Sequence, residues 1–81
     1  MNEQYFALLK TSDGNRGEAG KQKIYEIRVQ GRKVVYSWGM AEKTARQSKT
    51  VFYANDNWAQ FEALTQLRSK VAGGYRVAVR A

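Results

Sequence analysis

Apolar and polar residues alternate along two stretches of the chain and fall into a helical period along a third. Over residues 23 to 30, KIYEIRVQ, the side chains of Tyr25, Ile27 and Val29 share one face, and Glu26, Arg28 and Gln30 share the other. That two-residue period predicts a half-buried strand. Gly31-Arg32 stands where a two-residue hairpin turn belongs, glycine suiting the positive φ of the first central position. Pairing outward from the turn places Val29 opposite Val34, Ile27 opposite Tyr36 and Tyr25 opposite Trp38, all on one face. Near the C-terminus YRVAVR alternates again, Tyr75, Val77 and Val79 against Arg76, Ala78 and Arg80. It predicts a last strand on which Arg76 and Arg80 share a face, either extending a basic stripe or blunting a sheet edge.

The intervening segments follow from the same pattern. QYFALLK, residues 4 to 10, predicts a first strand. TSDGNRGEAGKQ after it carries Gly14, Gly17 and Gly20, without the Gly-Lys-Ser/Thr ending of a phosphate-binding loop, and reads as a long hairpin loop. A polar stretch from Thr44 leads to a short strand at Val51-Phe52-Tyr53. Asn55-Asp56-Asn57 offers N-caps for a helix running to about Ala72, where Gly73-Gly74 ends it. In that helix Phe61, Leu64, Leu67 and Val71 form an apolar stripe expected to bury against the sheet. Trp58 is expected to pack at the helix–sheet margin, and Tyr5, Tyr25, Tyr53 and Tyr75 to be structural with hydroxyls in water. The elements predict an α+β class: residues 1–81 as a single domain, an antiparallel β-sheet with one long α-helix packed on one face.

Charge sharpens this outline. The 81 residues carry a net charge of +7. Eight lysines and arginines against two glutamates leave +6 of it between Lys21 and Lys49. A concentrated positive field of this kind suits a polyanion, nucleic acid before an acidic membrane or acidic protein. The chain has no Cys and no His. Disulfides and thiolate metal sites are therefore excluded, and the side chain that titrates near neutrality is missing. No pair of carboxylates sits at a spacing that suggests a catalytic site. The expectation is a non-enzyme with no cofactor and no metal. No apolar run is long enough to cross a bilayer, and MNEQYFALLKTSDG lacks the features of a secretory signal. A soluble cytoplasmic protein of a bacterium is expected, without a membrane partner, as a monomer or a weak dimer through a free sheet edge.

Taken together, Lys23, Tyr25 and Ile27, then Tyr36, Trp38 and Gly39, then Ala59, Lys70, Gly74 and Tyr75 resemble the WGR domain, named for a Trp-Gly-Arg tripeptide. The resemblance spans roughly Lys23 to Tyr75, with the first strand as an added sheet member. Two positions depart from it: the signature arginine is Met40, and the glycine expected two positions later is Glu42. The best-known members are DNA-damage-dependent poly(ADP-ribose) polymerases, in which the domain helps bind DNA breaks and its tryptophan packs against a sugar near a strand end. Small free-standing bacterial members also occur. The resemblance implies a DNA partner, favoured over RNA, and that role for Trp38. It does not carry over the arginine's contacts, since methionine has no donors to replace a guanidinium, nor the polymerase activity, for which 81 residues leave no room.

Two readings of Trp38 stay open. Its register places it on the apolar face, as a core residue. At a strand end it can also present a ring to a sugar or base, with Gly39 admitting a backbone beside it. The candidate nucleic-acid-binding residues are Trp38, Gly39, Lys43, Arg46 and Lys49, with Arg32 and Lys33 at the hairpin turn. Arg28 is read as a cross-strand partner for Glu26 or Glu42. The function expected is a non-catalytic module that binds nucleic acid, reading DNA backbone or strand ends without strong sequence specificity. The alternative is a protein–protein interaction domain, for which Met40 would supply an adaptable apolar contact.

Overall fold

The alternating stretches occupy the middle of one antiparallel sheet, and the helical stretch lies across it. The computed structural model describes residues 3–11 and 21–81; most of the glycine-bearing loop, residues 12–20, lies outside the described residues. Strands β1 (Glu3–Thr11), β2 (Gln22–Gln30), β3 (Lys33–Met40) and β4 (Gln47–Phe52) are followed by helix α1 (Asp56–Ala72) and strand β5 (Arg76–Arg80). The sheet runs β4-β3-β2-β1-β5, so α1 carries the chain from one edge to the other. The class is α+β, as the pattern predicts.

The central hairpin has the expected register. Val29 pairs with Val34, Ile27 with Tyr36 and Tyr25 with Trp38, and Gly31 takes a φ of 63° at the turn. These residues, with Phe6 and Leu8 of β1, form the core beneath the helix. β4 is longer than its apolar run suggests. Gln47 to Thr50 continue it along β3, with Gln47 opposite Trp38 and Lys49 opposite Tyr36. An edge strand tolerates such polar residues because one of its sides meets water.

The helix ends match their signals. Asn55 accepts a hydrogen bond from the Trp58 amide at 2.8 Å. At the C-terminus the Tyr75 amide donates to Lys70 O and the Gly74 amide to Val71 O, with Gly74 at φ 106°. This is a Schellman closure, and its left-handed residue needs glycine.

The buried face of α1 differs from the expected stripe. Ala59 and Ala63 are fully buried, with Leu64 and Leu67 partly buried beside them, whereas Phe61 is 64% and Val71 45% exposed. Small residues let the helix approach the sheet closely, and Phe61, two positions from each alanine, falls on the opposite side of the helix. Trp58, expected at the margin, is 55% exposed. Three of the tyrosine hydroxyls expected in water bond within the protein instead: Tyr25 accepts from Gln66, Tyr53 pairs with the Tyr36 hydroxyl and Tyr5 donates to Glu26.

The last strand also departs from its expected geometry. Its register against β1 shifts, Ala7 pairing with Val79 but Leu8 with Val77. Ala78 is thus an extra residue, a β-bulge. Arg76 lies opposite Leu9 and Arg80 opposite Phe6. Neighbouring strand positions alternate between faces, so the two arginines project to opposite faces of the sheet rather than sharing one.

Candidate nucleic-acid interface

Trp38 stands near the end of β3, on the helix side of the sheet and beyond the line where α1 covers it. One ring face lies along Tyr25, centroids 6.3 Å apart at an interplanar angle of 16°. Its Nε1 donates to Gln47 Oε1 at 3.1 Å. The indole packs against the core while remaining partly exposed.

Tyr75 completes the aromatic group, edge-on to Tyr25 at 6.3 Å and 66°. The Schellman turn delivers it there by sending the chain back under the helix end. Cations surround the rings. The Lys70 ammonium lies 4.6 Å from the Tyr25 centroid and 5.9 Å from that of Tyr75. Lys10, held by a 2.8 Å hydrogen bond to Gly73 O, lies 5.8 Å from Tyr75. Lys49 reaches over Tyr36 at 5.7 Å. Burial holds the Tyr25 hydroxyl above the usual tyrosine range despite the opposing hydrogen bond from Gln66, and burial raises Tyr75 as well. Both rings are therefore neutral at physiological pH.

Three hollows meet at Trp38. One of about 270 Å³ is lined by Tyr25, Trp38, Lys49, Lys70 and Tyr75. A second, about 320 Å³, adds Lys23, Gly39 and Met40. The third, about 380 Å³, is bounded by Lys43, Ala45, Arg46 and Gln47 on the far side of the indole. Among the described residues no carboxylate lines any of them. Their chemistry is that of apolar ring faces beneath ammonium groups, which suits a sugar or base attached to a phosphate. Among the described residues no three of His, Cys, Asp or Glu converge to hold a metal ion.

Trp38, Gly39, Lys43 and Arg46 border one hollow and Lys49 another, so five of the seven candidate residues come together. Gly39 borders two of these hollows. A Cβ there would stand 3.4 Å from Arg46 Cγ and 3.5 Å from Ala45 O. These are ordinary contact distances, so the chain returning to β4 passes beside Gly39 without occupying the place of a side chain. Arg46 reaches to the other face of the sheet, where Nη1 donates to Glu26 Oε1 at 3.0 Å. Arg28, expected to pair with Glu26 or Glu42, instead lies 4.6 Å over the Tyr5 ring.

Arg32 and Lys33 are not part of this site. Arg32 lies in the turn and Lys33 begins β3, five or six residues before Trp38, which is about 17–20 Å along a strand. Arg32 is occupied with Tyr53 O at 3.4 Å and the Phe52 ring at 5.9 Å. In their place stand Lys70, Lys23, Lys10 and Tyr75. Lys70 had a legible signal: it follows Ala59 and Ala63 at helical spacing and so belongs to the sheet-facing line. Lys10 had none, because its neighbours come from the opposite end of the chain. Comparison of the chain with protein-family models, curated proteins and solved structures gives no match.

Proposed function

We propose that the protein is a non-catalytic nucleic-acid-binding module whose Trp38 surface takes a sugar or base near a strand end while the surrounding lysines hold phosphates. One observation carries this: a partly open indole, backed by a second ring, sits among lysines from β2, β4 and α1, with no carboxylate lining these hollows among the described residues. Stacking of this kind is worth about 1–3 kcal/mol per base and tolerates any sequence. The lysines add a sequence-independent term. The WGR resemblance supports the same assignment and favours DNA over RNA. Met40, in the place of that family's arginine, lines the hollow with an apolar wall, so the contacts on that side are made by Lys23 and Lys43.

Titration of a short DNA duplex with defined ends at several salt concentrations tests the assignment. With about four phosphates engaged, log affinity falls against log salt with a slope near −3.6. Trp38→Ala is expected to weaken binding about tenfold or more, on the stacking scale above, while keeping a dispersed amide spectrum. A salt-independent affinity, or a Trp38→Ala chain that binds as well as the parent, removes the assignment. A protein-interaction role is favoured by a separate observation, the exposure of Phe52, Trp58 and Phe61. Partners retained after nuclease treatment would support it.

A further inference from the structure

Strand β5 forms one open edge of the sheet, with all five of its residues exposed. Its sequence, Arg-Val-Ala-Val-Arg, reads the same in both directions. A second copy pairing antiparallel about Ala78 would set Arg76 against Arg80 at each end. Like charges directly opposite are destabilising, so this edge resists its own kind. Among the described residues neither arginine is ion-paired; the Arg80 guanidinium lies 5.9 Å from the Phe6 ring. Val77 and Val79 are 43% and 47% exposed.

We propose that the β5 edge accepts an extended acidic segment of a partner protein as a sixth strand, in the order acidic–apolar–apolar–acidic. The register of β1 supplies the spacing. Four consecutive residues, Phe6 to Leu9, stand opposite Arg80, Val79, Val77 and Arg76 in turn. A strand added on the outer side takes the same four positions. Its end carboxylates meet Arg80 and Arg76, and the two apolar residues between them meet the valines. Without the bulge the carboxylates would have to be four residues apart; with Ala78 looped out they are three apart and point to opposite faces.

That geometry also separates this surface from the one at Trp38. A phosphate backbone lying on one face of the sheet meets only one of the two arginines, and it uses neither the valines nor the strand's free amides. An added strand alternates between faces and meets both charges, and main-chain pairing supplies affinity.

The test is an amide chemical-shift titration of the full chain with synthetic decapeptides centred on Glu-Val-Val-Glu or on Glu-Val-Ser-Val-Glu. The first should shift β5 and β1 and bind about tenfold tighter than the second, as expected for two matched cross-strand charge pairs. A variant carrying Arg76→Glu and Arg80→Glu should lose the acidic peptide and gain a Lys-Val-Val-Lys one. Arg76→Gln with Arg80→Gln serves if charge reversal disturbs the fold, and should weaken the acidic peptide about tenfold. Equal affinity for the two spacings, shifts centred on Trp38, or no binding overturns the proposal. So does a glutamine variant that loses duplex DNA but keeps the peptide, because the arginines would then belong to the nucleic-acid surface.

Discussion

Glu26 links two residues from separate parts of the chain. Its Oε1 accepts from Arg46 and its Oε2 from the Tyr5 hydroxyl, and Arg28 lies over the same tyrosine ring. Burial, and then the hydrogen bond and charge of Glu26, raise the pKa of Tyr5. The carboxylate therefore holds one of the cations that border the Trp38 hollows. Glu26→Gln removes the charge and keeps the shape. Partly exposed pairs of this kind are worth about 0.2–1 kcal/mol, so affinity for duplex DNA at low salt should rise about two- to fivefold. If Arg46 then takes a phosphate, the salt slope steepens by about 0.9. An affinity unchanged in filter binding or anisotropy would show that Arg46 belongs to the scaffold alone.

At the scale of an element, α1 is set by its smallest residues. Ala59 and Ala63 touch the sheet, and the same line leads on to Gln66 and Lys70, whose polar ends reach Tyr25. Close approach of the helix is thus what brings a lysine over the aromatic group. Ala63→Leu adds volume where none is free and is expected to destabilise by about 1–3 kcal/mol. Phe61→Ser, on the exposed side, should stay within about 0.5 kcal/mol. Urea midpoints of the two variants distinguish the alanine line from the larger apolar stripe. A greater loss from Phe61→Ser would reverse the assignment. The short β5 strand shows a second effect at this scale: one extra residue redirects an arginine to the other face of the sheet.

For the whole molecule, the aromatic core makes stability depend on alkaline pH. Tyr5, Tyr25, Tyr36 and Tyr75 all hold their protons above the ordinary value of 10.0, chiefly through burial. Tyr36 is shifted furthest, with the hydroxyl of Tyr53 adding to the effect. The unfolded chain releases these protons first, so their contribution is complete below pH 10 and declines as pH rises above it. Urea midpoints measured from about pH 8 to about pH 11.5 should fall across the upper part of that range. Tyrosinate absorbance should appear later in the folded protein than in the unfolded one. Tyr36→Phe removes the largest tyrosine contribution and should flatten the decline. An undiminished decline would place the pH dependence elsewhere.

Local pattern by itself determined the α+β class, the Gly31 hairpin with its three same-face pairs, and both ends of the helix. Each depends on a period or a capping signal contained within a few residues. It also determined that the field is positive and that Trp38 closes a strand. Tertiary structure alone decided which cations share a surface with that ring. Lys10 and Lys70 reach Tyr75 through contacts between distant segments, while Arg32 and Lys33, near Trp38 in sequence, are carried away along an extended strand. It also decided which side of the helix is buried, because depth of approach depends on both surfaces, and which way Arg76 and Arg80 face, because a bulge arises from pairing with a neighbour and leaves no mark in an alternating sequence.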